Sequence, residues 1–67
     1  MTKAPKIGTV VKFHVYNGSG IVMVLGRVEG VIENNAFIDC GGEKYTRNWS
    51  GLIPATSQEE VLWRFEQ

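Results

Sequence analysis

Cysteine and histidine are nearly missing from this chain, with Cys40 and His14 the only examples. One thiol excludes an internal disulfide, and one thiol with one imidazole cannot close a four-ligand zinc site within a single chain. Net charge is missing as well, because seven basic side chains are balanced by seven acidic ones. No global field draws in nucleic acid or an anionic membrane, so only local patches are left for such work. No apolar run approaches the roughly 20 residues of a membrane-spanning helix, and none follows the opening MTKAPK. These absences imply a cytoplasmic location with no membrane contact, and no motif calls for a cofactor or a metal.

What is present is the composition of a folded domain, 43% hydrophobic and 21% charged. At 67 residues the chain is one domain near the lower limit at which a hydrophobic core alone suffices. Small chains supplement the core with disulfides, a metal or oligomerisation, and with the first two excluded the expectation is a homo-oligomer. Residues 1–7 read as a polar N-terminal tail and residues 8–67 as a single domain.

From Gly8 to Tyr16 apolar and polar residues alternate, which predicts a strand with Val11, Phe13 and Val15 on one face and Lys12, His14 and Tyr16 on the other. Asn17-Gly18-Ser19-Gly20 is a hairpin signal, since Asn and Gly tolerate positive φ. Gly18-Ser19-Gly20 also has the look of a fragment of a phosphate loop, but the following helix and lysine that such loops need are absent, and the hairpin reading prevails. A second, bent strand runs on to Glu33, with bends at Gly26 and Gly30. A turn at Asn34-Asn35 would pair Ile32 with Phe37 and start a third strand, Ala36 to Cys40. Gly41-Gly42 turns into a fourth strand, Glu43 to Trp49, and sets Asp39 opposite Lys44 and Ile38 opposite Tyr45. Ser50 and Gly51 lead to a short LIP segment.

The last segment predicts a helix at about residues 56–66, opened by a capping box from Thr56 to Glu59 or from Ser57 to Glu60. Val61, Leu62 and Phe65 form the stripe expected to dock on the sheet, with Trp63 at its edge or exposed. The fold expected is therefore mainly β: a small SH3-like antiparallel barrel of four to five bent strands with one C-terminal α-helix.

The run Ile21-Val22-Met23-Val24-Leu25 is apolar on both faces. The hairpin loop is either Asn17-Gly18, with Phe13 opposite Val22, or Asn17 to Gly20, with Phe13 opposite Val24. Under both, Val22 and Val24 join the core, while Ile21, Met23 and Leu25 share the face of Lys12, His14 and Tyr16. The C-terminal helix, a second copy of the chain or another protein partner could cover those three. Ile21, Met23, Leu25 and Trp63 are the interface residues this reading selects.

Candidate chemistry is sparse. Cys40, His14 and Asp39 could form a nucleophile, base and orienter, but their spacing matches no such arrangement, and Cys40 beside Ile38 reads as a small buried hydrophobe. Glu59 and Glu60 are adjacent on a helix and point apart, unlike paired catalytic carboxylates. No catalytic residue is assigned. Lys12, His14 and Tyr16 on one strand and Arg47 and Trp49 on another could bind nucleic acid or another ligand, rings stacking on bases and cations meeting phosphates. Alternatively Tyr45 and Trp49 belong to the core and Arg47 lies at its rim. The leading expectation is a non-enzymatic, homo-oligomeric binding module acting through an apolar strand face. A nucleic-acid-binding or regulatory barrel comes second, and a minimal enzyme with its site between protomers comes third.

Overall fold

A computed structural model describes residues 1–66. One five-stranded antiparallel sheet carries a C-terminal helix. The strands are β1 (Val10–Asn17), β2 (Gly20–Ile32), β3 (Asn35–Cys40), β4 (Glu43–Asn48) and β5 (Ile53–Pro54), and the helix is α1 (Ser57–Glu66). They lie in the order β4-β3-β2-β1-β5, so the chain is mainly β as expected but the sheet is open, without the closure of a barrel. No described helix is long and apolar enough to cross a membrane.

The inner face of the sheet holds the core. Val11, Phe13 and Val15 of β1, Val28 of β2, Ala36 and Ile38 of β3 and Leu52 are buried together. The first hairpin has Phe13 opposite Val24 and His14 opposite Met23, the register of the longer loop. The turn itself is only Gly18-Ser19, with Asn17 opposite Gly20. Asn17 Oδ1 accepts from the Ser19 amide at 2.7 Å, a side chain standing in for a backbone turn partner.

Between Val28 and Gly30 the pairing of β2 with β3 slips by one residue. This bulge at Glu29 brings Val28 and Val31, three residues apart, to the same inner face opposite Ile38 and Ala36. The next turn is Glu33-Asn34, one residue earlier than the sequence suggested, so Ile32 faces Asn35 and Gly30 faces Phe37. Two contacts explain the shift: the Trp49 amide and its indole N–H hold the carbonyls of Asn34 and Glu33, each at 2.9 Å. Ile32 and Phe37 still share the outer face, and both are exposed. At the last hairpin Gly41 and Gly42 both have positive φ, 63° and 100°, as a type I′ turn requires. Asp39 then faces Lys44 and Ile38 faces Tyr45, as read from the sequence.

Residues 1–7 lie against the sheet instead of trailing from it. Pro5 is buried, the Met1 side chain packs on the core, and the Met1 ammonium donates to the Trp49, Ser50 and Leu52 carbonyls at 3.3, 3.0 and 2.9 Å. Gly8 N–H donates to the Val28 carbonyl at 2.8 Å, continuing the β1 side of the ladder.

The helix corrects the sequence most sharply. Val61, Leu62 and Phe65, the stripe expected to dock, are 66%, 58% and 88% exposed, and Trp63 is the one buried side chain of α1. The capping box forms reciprocally, with Thr56 N–H donating to Glu59 Oε1 at 2.8 Å and Glu59 N–H to Thr56 Oγ1 at 3.2 Å. Glu59 also pairs with Lys12 on the outer face of β1 at 3.1 Å. Trp63 lies one turn beyond Glu59 on the same side of the helix, so the contact that anchors Glu59 brings the indole onto the sheet. Indole is also the largest single apolar side chain on the helix.

Candidate functional site

The outer face of β2 is where the interface residues come together, and the helix divides them. Trp63 borders a cleft shared with Met23, Val24, Leu25, Cys40 and Gly41, and another shared with Arg27 and Asp39. Leu25, which lines the first cleft with it, is half-buried, while Ile21, Val22 and Met23 remain 56%, 39% and 45% exposed. Val22 was expected in the core. It lies on the inner face but beyond the part of β2 that β3 covers, because β3 pairs only with Arg27 to Ile32.

Turned away from the sheet, Val61 and Leu62 line a shallow groove with Ser57 and Gln58. Sequence reasoning assigned this stripe to the core. The signal that could have redirected it is the spacing of Glu59, Trp63 and Glu66, which places the capping glutamate and the tryptophan on one side of the helix and the stripe on the other.

The basic and aromatic residues do not form one surface. Lys12, His14 and Tyr16 point outward from β1, Lys12 held by Glu59. Arg47 lies on the inner face, opposite Ala36, its guanidinium 5.6 Å from the Phe13 ring centre and 5.2 Å from that of Tyr45. Those two rings meet edge to face at 5.4 Å. The Tyr45 phenol donates to Glu43 at 2.7 Å, and that bond to a carboxylate raises its pKa above the usual value. Trp49 packs on the core with its indole N–H committed to Glu33. Arg47 thus caps the exposed flank of the core by lying over two rings, a role sequence spacing hinted at only through its alternation with Tyr45 and Trp49.

Cys40 packs at the margin of the core and donates from Sγ to the Leu25 carbonyl at 3.1 Å. Burial, followed by the nearby Glu43 and Asp39 charges, pushes its pKa up and keeps it a thiol at neutral pH. His14 projects from the outer face opposite Met23, whereas Cys40 follows the inward parity of Ala36 and Ile38, so the two reactive side chains are not directed at one another. Asp39 is engaged by Lys44 at 3.3 Å, and Lys44 is held more closely by Glu29 at 2.9 Å. That hydrogen bond to Glu29, with Asp39 behind it, raises the Lys44 pKa. Among the described residues no group of three or more His, Cys, Asp or Glu side chains converges.

Comparison with protein-family models, with curated proteins and with solved structures finds no match for this chain.

Proposed function

We propose that this chain is a non-enzymatic homo-oligomeric module that associates through apolar surface on the outer side of β2 and α1. The observation that carries the reading is the exposure of Ile21 and Met23 on the outer face, with Val22 exposed on the other, in a segment with no charged side chain from Asn17 to Gly26. Val61, Leu62 and Phe65 add exposed apolar surface on the side of the helix turned away from the sheet. Solvating so much apolar surface is costly in a small domain, and removing it from water stabilises by about 25 cal/mol per Å². Association must also overcome the lost freedom of the partners, of order 4–15 kcal/mol. Strand residues and helix stripe together supply more driving force than Ile21 and Met23 alone. Trp63, selected from the sequence as a contact residue, is buried and borders the strip from the helix side.

Light scattering on an eluting column tests this. The expected result is a multiple of the chain mass that falls on dilution and survives high salt, since the association is apolar. Met23→Glu is expected to give a folded monomer, because Met23 is half-exposed and its side chain leaves the core untouched. A monomer at every concentration would overturn the reading. A shift in mass with a single-stranded oligonucleotide at low salt would transfer the function to Lys12, His14 and Tyr16.

A further inference from the structure

We propose that the Gly20–Leu25 half of β2 is a pairing edge, which adds antiparallel to the same segment of a second copy and joins two sheets into one across a two-fold axis. The proposal rests on the homo-oligomeric reading and specifies how the copies meet: through backbone as well as side chains.

The first observation is the change of neighbour along β2. β1 pairs with Gly20 to Arg27, and β3 pairs with Arg27 to Ile32. Arg27 is the one residue of β2 with a ladder partner in both β1 and β3, the end of β3 still reaches Gly26 and the Leu25 carbonyl, and from Gly20 to Val24 no strand among the described residues pairs with the side of β2 away from β1.

The second is which groups face that empty side. In a strand the N–H and C=O of one residue point the same way, and successive residues alternate. Val28 directs both toward the β1 side, its N–H to the Thr9 carbonyl at 2.9 Å and its C=O to the Gly8 N–H at 2.8 Å. Counting back by two, Gly26, Val24, Val22 and Gly20 face β1, while Leu25, Met23 and Ile21 face away from it. The Cys40 thiol, donating to the Leu25 carbonyl from β3, confirms the direction. Among the described residues no hydrogen bond outside the β1 ladder engages the backbone of Ile21 or Met23. Their two N–H and two C=O groups form an open template.

The third is the absence of edge protection. The outer edge of β4 carries Lys44 and Arg47, and the Lys12–Glu59 pair stands where β5 ends beside β1. Proteins guard free edges with such charges, with proline or with bulges. The Gly20–Leu25 segment itself carries none of them, and the one charge that borders it is Glu66 of α1, in the cleft with Met23 and Leu25 among the described residues.

The fourth decides the occupant. Ile21 and Met23 are exposed on one face of the sheet and Val22 on the other. A docked helix covers one face, whereas a strand hydrogen-bonded to the edge carries side chains over both. A second copy suits the charge pattern. The segment is uncharged and the chain carries seven charges of each sign, so juxtaposing it with itself brings no like charges together. A two-fold contact needs only self-complementarity, and an antiparallel strand pair meets that condition through its backbone.

The chain is short enough for total synthesis, which permits a change in the backbone alone. N-methylation of the Met23 amide removes an outward donor and blocks a neighbouring strand while leaving the side chain and the β1 ladder intact. It is expected to weaken association by about a hundredfold with unchanged circular dichroism. Hydrogen exchange on the unmodified chain gives the second measurement. The Ile21 and Met23 amides should gain protection as concentration rises, and those of His14 and Tyr16 should not. An oligomer that survives N-methylation, with Ile21 and Met23 amides exchanging fast throughout, would overturn edge pairing and leave side-chain association standing. An unmodified chain that is monomeric throughout would overturn the homo-oligomeric reading itself. If the methylated chain fails to fold, the exchange pattern of the unmodified chain alone decides.

Discussion

The two halves of β2 belong to one strand and end up in opposite environments. Gly20–Leu25 contains five consecutive apolar residues and is largely exposed, whereas Arg27–Ile32 contains Arg27, Glu29 and Gly30 and still provides Val28, fully buried in the core. Hydrophobicity therefore does not set burial here. Neighbours do: the second half has β3 alongside it, and Ala36 and Ile38 close over Val28 and Val31, while the first half has only β1. Gly26 marks the boundary, and its buried backbone leaves no room for a side chain. A Cβ there would lie 2.5 Å from Ile38 Cγ2, 3.1 Å from the Asp39 carbonyl and 3.3 Å from Phe13 Cε1.

That contrast can be tested from both sides. Trp63→Ala should have the largest effect, about 3 kcal/mol, since it removes the only buried side chain of α1. Leu25 would then join the exposed segment. Loss of helical circular dichroism together with earlier urea unfolding would confirm that Trp63 seats the helix. An unchanged helix signal would show that the cap and the Lys12–Glu59 pair suffice.

Gly26→Ala and Gly30→Ala compare the two bends directly. The first is expected to cost about 2 kcal/mol through overpacking against Ile38. The second should stay within about 0.5 kcal/mol of the parent, because its Cβ meets only Phe37 Cδ2, at 3.7 Å. Equal effects in thermal unfolding would contradict Gly26 as the crowded boundary between the halves.

The smallest effect concerns the helix anchor. The Thr56 N–H, and after it Lys12, hold the Glu59 pKa below its ordinary value of 4.5. A depressed carboxylate pKa gives stability that is present above the ordinary value and lost as pH falls through the folded one. Glu59→Gln should therefore be less stable than the parent at neutral pH, and the difference should shrink below pH 4.5. A difference that is constant from neutral pH into that acid range would show that the charge on Glu59 does not secure the helix.

Some of this was legible from local chemistry. Gly41-Gly42 prescribed a two-residue turn, and the Asp39–Lys44 and Ile38–Tyr45 pairs followed by counting. The alternation in β1 separated Phe13 from His14 before any partner was known. Thr56 and Glu59 announced the start of the helix. The apolar strip Ile21, Met23 and Leu25 was legible too, but which of the three stays exposed was not, because that depends on where β3 stops and where Trp63 lands.

Sequence by itself determined the strands of the first and last hairpins, the Gly41-Gly42 turn and a capped helix near residue 56, because each depends on residues within a few positions and on a period of two or 3.6. Only the tertiary structure decided which side of α1 faces the sheet, where β2 changes partner and which way Arg47 turns. These outcomes depend on distant residues competing for the same space. Lys12 must meet Glu59, the indole must find Leu25, and the Trp49 N–H groups must reach the Glu33 and Asn34 carbonyls. No periodicity within one element records such a competition.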